Sequence, residues 1–106
     1  MPKRYKLTFT VPVADADKVR EAIGKAGAGK YPHYSFCSFS TRGIGRFRPE
    51  VGAKPAIGEV GRMEELEEER IECQIDAEFV DAVLTALKAF HPYEEIAYDL
   101  FPLESR

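Results

Sequence analysis

Within the first 26 residues the apolar period changes from two to about 3.6, and the same change recurs in the second half, which confines the chain to alternating strands and helices. In residues 4–13, Tyr5, Leu7, Phe9, Val11 and Val13 alternate with Arg4, Lys6, Thr8 and Thr10, the pattern of a half-buried strand. Pro12 falls near its end, where a missing ladder donor does least harm. Residues 14–26 then place Ala16, Val19, Ala22, Ile23 and Ala26 on one helical stripe, with Asp15 and Asp17 suited to the cap and to the positive end of the helix dipole. Gly27 and Gly29 stop this helix, and Gly24 inside it marks either close packing against the sheet or a tolerated weakness.

Residues 34–41 read as a second strand, with burial expected on both faces. Residues 42–62 follow with five glycines and two prolines, too broken for a strand and too long for a tight hairpin. Alternation resumes through Ile71, Cys73 and Ile75, so a third strand is expected from about Glu67, preceded by an acidic run that is also compatible with a helical turn. Asp76 is a good N-cap for a second helix carrying Phe79, Val80, Val83, Leu84, Leu87 and Phe90, and Pro92 ends it. Residues 96–103 supply a last strand. The expected fold is α+β, a ferredoxin-like βαββαβ sandwich in which a four-stranded antiparallel sheet carries both helices on one face, with a long loop between the middle strands. Its other face would lie open to water or to further subunits.

A chain of 106 residues fits one domain, residues 1–106. No apolar run approaches the ~20 residues that cross a bilayer, and the first five residues lack the apolar segment of a secretory signal, so the expectation is a cytoplasmic protein without membrane partners. Cys37 and Cys73, far apart and without CxxC spacing, indicate neither a disulfide framework nor a zinc knuckle. Net charge is −3 but unevenly spread: residues 1–62 hold twelve Lys/Arg against five Asp/Glu, residues 63–106 three against thirteen. The two halves should attract each other, within one chain or between copies. A pI near 5.4 argues against nucleic acid as a partner.

Four ordered motifs are spaced through residues 37–99: Cys37-Ser38-Phe39-Ser40-Thr41, Gly43-x-Gly45-x-Phe47-Arg48-Pro49, Gly52-Ala53-x-Pro55-x-Ile57-Gly58 and His91-Pro92-Tyr93-Glu94-Glu95-x-Ala97-Tyr98-Asp99. They resemble the insert domain of the Nif-three-like (YqfO-like) family, here standing alone. The resemblance implies a CutA/PII-like domain that assembles as a homotrimer, with a dimer as the other option. It implies no dimetal chemistry, because the host domain's metal-binding His and Glu motifs have no counterpart in a chain with only His33 and His91. CutA proteins carry a similar His-Pro-Tyr-Glu stretch and are associated with divalent cations such as copper.

Two sites follow from the residues themselves. Arg46 and Arg48, with Arg42 and Lys54 among glycines, suit a small anionic ligand held by guanidinium groups and backbone amides, or serve a structural loop whose arginines meet the acidic run at 64–69. His91, Tyr93 and Glu94 complete the candidate ligand-binding set. His91, Glu94 and Glu95, helped by Cys37 or His33, offer imidazole, carboxylate and thiolate to a divalent metal ion, although the proline turn and the opposite faces of Glu94 and Glu95 in an extended segment make the spacing poor. No nucleophile or paired-carboxylate arrangement stands out. The first reading is a non-enzymatic, homo-oligomeric ligand-binding or regulatory module with a small ligand or protein partner. A copper- or zinc-handling protein and a metal-dependent hydrolase are the alternatives.

Overall fold

The apolar side of the first strand becomes the floor of the core. In the computed structural model, which describes residues 2–106, β1 (Arg4–Pro12) is a central strand, paired antiparallel with β3 (Glu64–Asp76) on one side and β4 (Tyr98–Leu103) on the other. Leu7 lies between Cys73 and Leu100, and Phe9 between Ile71 and Tyr98, so like side chains meet across three strands. β2 (Phe39–Phe47) pairs antiparallel with β3 at the sheet's edge, giving the order β2-β3-β1-β4.

Two helices cover this floor. Ala16, Val19 and Ile23 of α1 (Val13–Lys25) and Val83 and Leu87 of α2 (Val80–Phe90) share one buried cluster with Leu7, Phe9, Val11, Ile71, Cys73 and Ile75. Because those strand residues all have one parity, both helices lie on one face, the arrangement expected from the periodicity. Lys6, Thr8 and Thr10 of β1 and Arg70, Glu72 and Gln74 of β3 have the other parity and form the uncovered face. No helix among the described residues is long and apolar enough to cross a membrane.

The boundaries shift in instructive ways. The second strand is not residues 34–41 but Phe39–Phe47, and the connecting loop begins only after it. Gly43 and Gly45, read as loop glycines, lie in a strand whose ladder is held by a partner rather than by its own propensity. The expectation of burial on both faces fails, since most of β2 is exposed. β3 starts at Glu64 rather than near Glu67, because a strand that faces water can alternate acids as readily as apolar groups. β4 begins at Tyr98, two residues later than expected, and tolerates Pro102 because it is an edge.

The caps differ as well. Neither helix has a side-chain cap; Asp15 pairs with Lys18, Asp17 with Arg20, and Asp76 with Arg4, while a 3₁₀ turn at Ala77–Phe79 leads into α2. Gly24 packs against the Phe36 ring rather than the sheet: a Cβ there would come within 2.2 Å of it. Four ion pairs join the basic and acidic halves inside the chain, namely Arg4–Asp76, Lys6–Glu72, Arg20–Glu69 and Arg46–Glu65. The charge asymmetry is thus met within the fold, as complementarity in one chain allows.

Leu87 is fully buried at the junction of α2 with this core. Leu87→Ala should cost about 2–5 kcal/mol of unfolding free energy, read as a lower urea midpoint at unchanged slope.

Candidate functional site

β1 runs to Pro12, but β4 reaches only as far as the partner of Phe9, so Thr10, Val11 and Pro12 have no strand beside them on that edge. The turn that follows α2 takes this place. Pro92 holds His91 in an extended conformation at the helix end, with φ −72° and ψ 136°. His91 is 6% exposed, its Nε2 lies 2.7 Å from the Thr10 carbonyl oxygen, and its Nδ1 lies 3.2 Å from the Tyr93 backbone nitrogen. Since a carbonyl only accepts and an amide N–H only donates, the imidazole is the neutral Nε2–H tautomer. Its ring meets Phe9 edge-on at 6.2 Å and Tyr93 at 5.0 Å. Burial lowers the His91 pKa from its ordinary value of 6.5, against the opposing influence of the Thr10 carbonyl and the Glu68 charge.

Tyr93 carries this order outward. Its phenol donates to Glu68 Oε2 at 2.7 Å and its ring stands 5.6 Å from Phe47. Burial and the adjacent carboxylate raise the Tyr93 pKa far above that of a free phenol, so it stays protonated and donating. Glu68 is itself only 6% exposed. It fits because Gly45, on the neighbouring strand, has no side chain: a Cβ there would stand 1.8 Å from Glu68 Oε1. One step further on, the Glu94 carboxylate accepts the backbone N–H of Lys54 at 2.8 Å and ties the turn to the long loop.

Between turn, loop and sheet lies a groove of about 560 Å³. Phe47, Val51, Pro55, Ile57 and Tyr93 contribute apolar surface, and Arg46, Arg48, Glu50, Glu68, Glu94 and Glu95 contribute charge. Of the residues singled out in the sequence, Arg46, Arg48, Tyr93 and Glu94 line this groove, and His91 stands behind Tyr93. Each arginine already has a carboxylate: Arg46 Nε lies 3.0 Å from Glu65 and Arg48 Nε lies 2.6 Å from Glu50.

Cys37 is not in this neighbourhood. Its backbone N–H bonds to the Gly29 carbonyl, and Gly29 in turn bonds to Gln74, the partner of Lys6. That is four residues along β1 from Thr10, or about 13 Å. His91, Glu94 and Cys37 therefore do not converge, and among the described residues no three His, Cys, Asp or Glu side chains are grouped to hold a metal ion. Both imidazole nitrogens are engaged by backbone. Burial pushes the Cys73 thiol up to about 12, far from a metal-binding thiolate. Glu68, Gly45 and Phe47 were missed as site residues, Glu68 because it sits in an acidic run that reads as a solvated face. The only sequence signal was indirect, a glycine on one strand in register with the run on the next.

These features define a ferredoxin-like α+β domain with a ligand-sized groove between its β2–β3 loop and the turn after its second helix. No family model matches the chain. It is 48% identical over 99 residues to the protein named GTP cyclohydrolase 1 type 2 homolog of Halalkalibacterium halodurans, covering 93% of this chain and 27% of that protein. The protein of the same name from Bacillus subtilis is also 48% identical, with 93% of this chain and 26% of that protein covered. The crystal structure of a Bacillus cereus protein related to NIF3 superposes with a TM-score of 0.83 at 42% identity, over 98% of this chain and 26% of that one. The periplasmic divalent cation tolerance protein CutA of Archaeoglobus fulgidus shares the fold at a TM-score of 0.69 and 17% identity, over 97% and 86% of the two chains. The chain is homologous to one segment of the Nif-three-like proteins, CutA-like in fold, and spans about a quarter of the length of those relatives.

Because His91 is neutral when folded and its pKa is lowered, the unfolded chain takes up a proton near 6.5 that the folded chain takes up only at lower pH. Its contribution to stability is complete above pH 6.5 and is lost as pH falls through the folded value. Thermal melts from pH 7.5 to 5 should show this decline, and His91→Gln, which keeps one donor and one acceptor, should flatten it.

Proposed function

We propose that the chain is a non-enzymatic ligand-binding or regulatory module that works as an assembly of identical copies, a trimer, with the ligand in the groove lined by Arg46, Arg48, Tyr93 and Glu94. The observation that carries this reading is the arm formed by β2 and β3. β1 accompanies β3 only from Glu68 onward, so Glu64–Glu67 pairs with β2 alone and projects about 13 Å past the central strand. The arm and loop stretch the molecule to 46 × 25 × 23 Å, with a radius of gyration of 14.7 Å against about 13 Å for a compact chain of this length. β2 is also an edge strand of nine residues without a neighbour on its outer side. A long open edge bearing exposed Phe39 and Ile44 is a template for further pairing, which a partner copy satisfies in an ordered way.

The cyclohydrolase in the relatives' name is not carried over, since this chain spans 27% of such a protein. A divalent-cation role, named for the CutA structures, has the scattered positions of His91, Glu94 and Cys37 against it. The compartment we read as the cytoplasm, in keeping with two free cysteines.

Multi-angle light scattering at micromolar concentration should give three times the 11.9 kDa chain mass. A mass of one chain would remove the assembly from this reading.

A further inference from the structure

The groove holds more negative charge than its own cations balance. Arg46 and Arg48 are each taken up by a carboxylate, Glu65 and Glu50. That leaves Glu94, whose one hydrogen bond comes from a backbone amide, together with Glu95 and Glu68. Glu68 is the telling member. It is 94% buried on its relative exposure of 6%, it has no Lys, Arg or His ion-pair partner among the described residues, and its one hydrogen bond there is the Tyr93 phenol on Oε2. Oε1 lies over Gly45, a residue of the shallow trough on the open sheet face, and Glu68 lines both that trough and the groove. A buried carboxylate normally has a cation or several donors close by. Here one oxygen is held, and the other, with no hydrogen-bond partner among the described residues, is open to its surroundings.

Sharing the groove lining with Glu68 are Phe47 and Tyr93, whose rings lie 5.6 Å apart, and apolar walls from Pro55 and Ile57. A cation gains from a carboxylate and from aromatic faces at the same point, whereas an anion would meet three unbalanced carboxylates. The groove volume is that of a small-molecule site. We propose that the groove takes a small organic cation, an ammonium or amidinium nitrogen on an apolar body, with Glu68 as its counter-ion and Phe47 and Tyr93 as its flanking rings. This assignment rests on the groove being the binding site of the module and replaces the anionic ligand that the arginine-rich sequence suggested.

Benzamidinium, neutral benzamide and benzoate share one shape and differ in charge, so they separate the alternatives in an NMR titration of the purified chain. Benzamidinium should shift the Gly45, Phe47 and Tyr93 amides and bind at least about tenfold tighter than either of the others. Glu68→Gln, which retains an oxygen for the Tyr93 phenol, should bring benzamidinium down to the affinity of benzamide while leaving benzamide unchanged; a thermal melt confirms that the variant is folded. Equal or tighter binding of benzoate or benzamide, or undiminished binding of benzamidinium to folded Glu68→Gln, overturns the charge assignment while the groove survives as a site. Failure of all three probes to bind overturns the groove itself.

Discussion

The structure depends on β1 being hydrogen-bonded on both edges while one of its faces is sealed by two helices. Leu7 and Phe9 are buried because β3 and β4 flank them, Val11 has β3 beside it, and α1 and α2 close above all three. A slip of one residue in either pairing would turn Lys6, Thr8 and Thr10 into the core, so the register is fixed by what it would cost to bury them. The ends of β1 also set the limits of everything else. Where it stops, β3 continues without it as an arm, and where β4 falls short of it, the turn after α2 closes the gap.

That turn joins the packed interior to the groove by a short chain of contacts. His91 is seated against Phe9 and the Thr10 carbonyl, its Nδ1 fixes the Tyr93 amide, the Tyr93 phenol fixes Glu68, and Glu94 holds the loop at Lys54. Each contact is ordinary in strength, but together they leave the groove's inner wall little freedom. The loop residues further out have few such ties, and Val51 is almost wholly exposed. The groove thus has one wall tied through the turn to the core and one, from the loop, that is largely exposed.

The architecture was legible wherever apolar periodicity was strong. Val19 and Ile23, Val83 and Leu87, and Leu7, Phe9 and Val11 of β1 all declare their burial by spacing alone. The chain was hardest to read where pairing is imposed from outside. β2 contains two glycines and hardly any buried residue, and only its register with β3, Arg42 opposite Glu69 and Arg46 opposite Glu65, makes it a strand. The site was half visible. Tyr93, Glu94 and the arginines could be singled out by type, but Glu68 could not be told from the four other acids of its run without knowing which strand lies beside it. The metal set built on His91, Glu94 and Cys37 shows the converse limit, since residue types alone do not say which ends of a sheet they occupy.

Gly45 gives the groove an unusual sensitivity. The pocket that shelters the Glu68 carboxylate exists only because one carbon atom is missing from the facing strand. An alanine would put that atom where the carboxylate now rests, pressing it toward solvent and loosening its hold on Tyr93, all without altering any charged residue. The seat of the Glu68 carboxylate and its bond to Tyr93 therefore hang on the same absent methyl group, and one substitution can displace both while leaving the formal charge untouched.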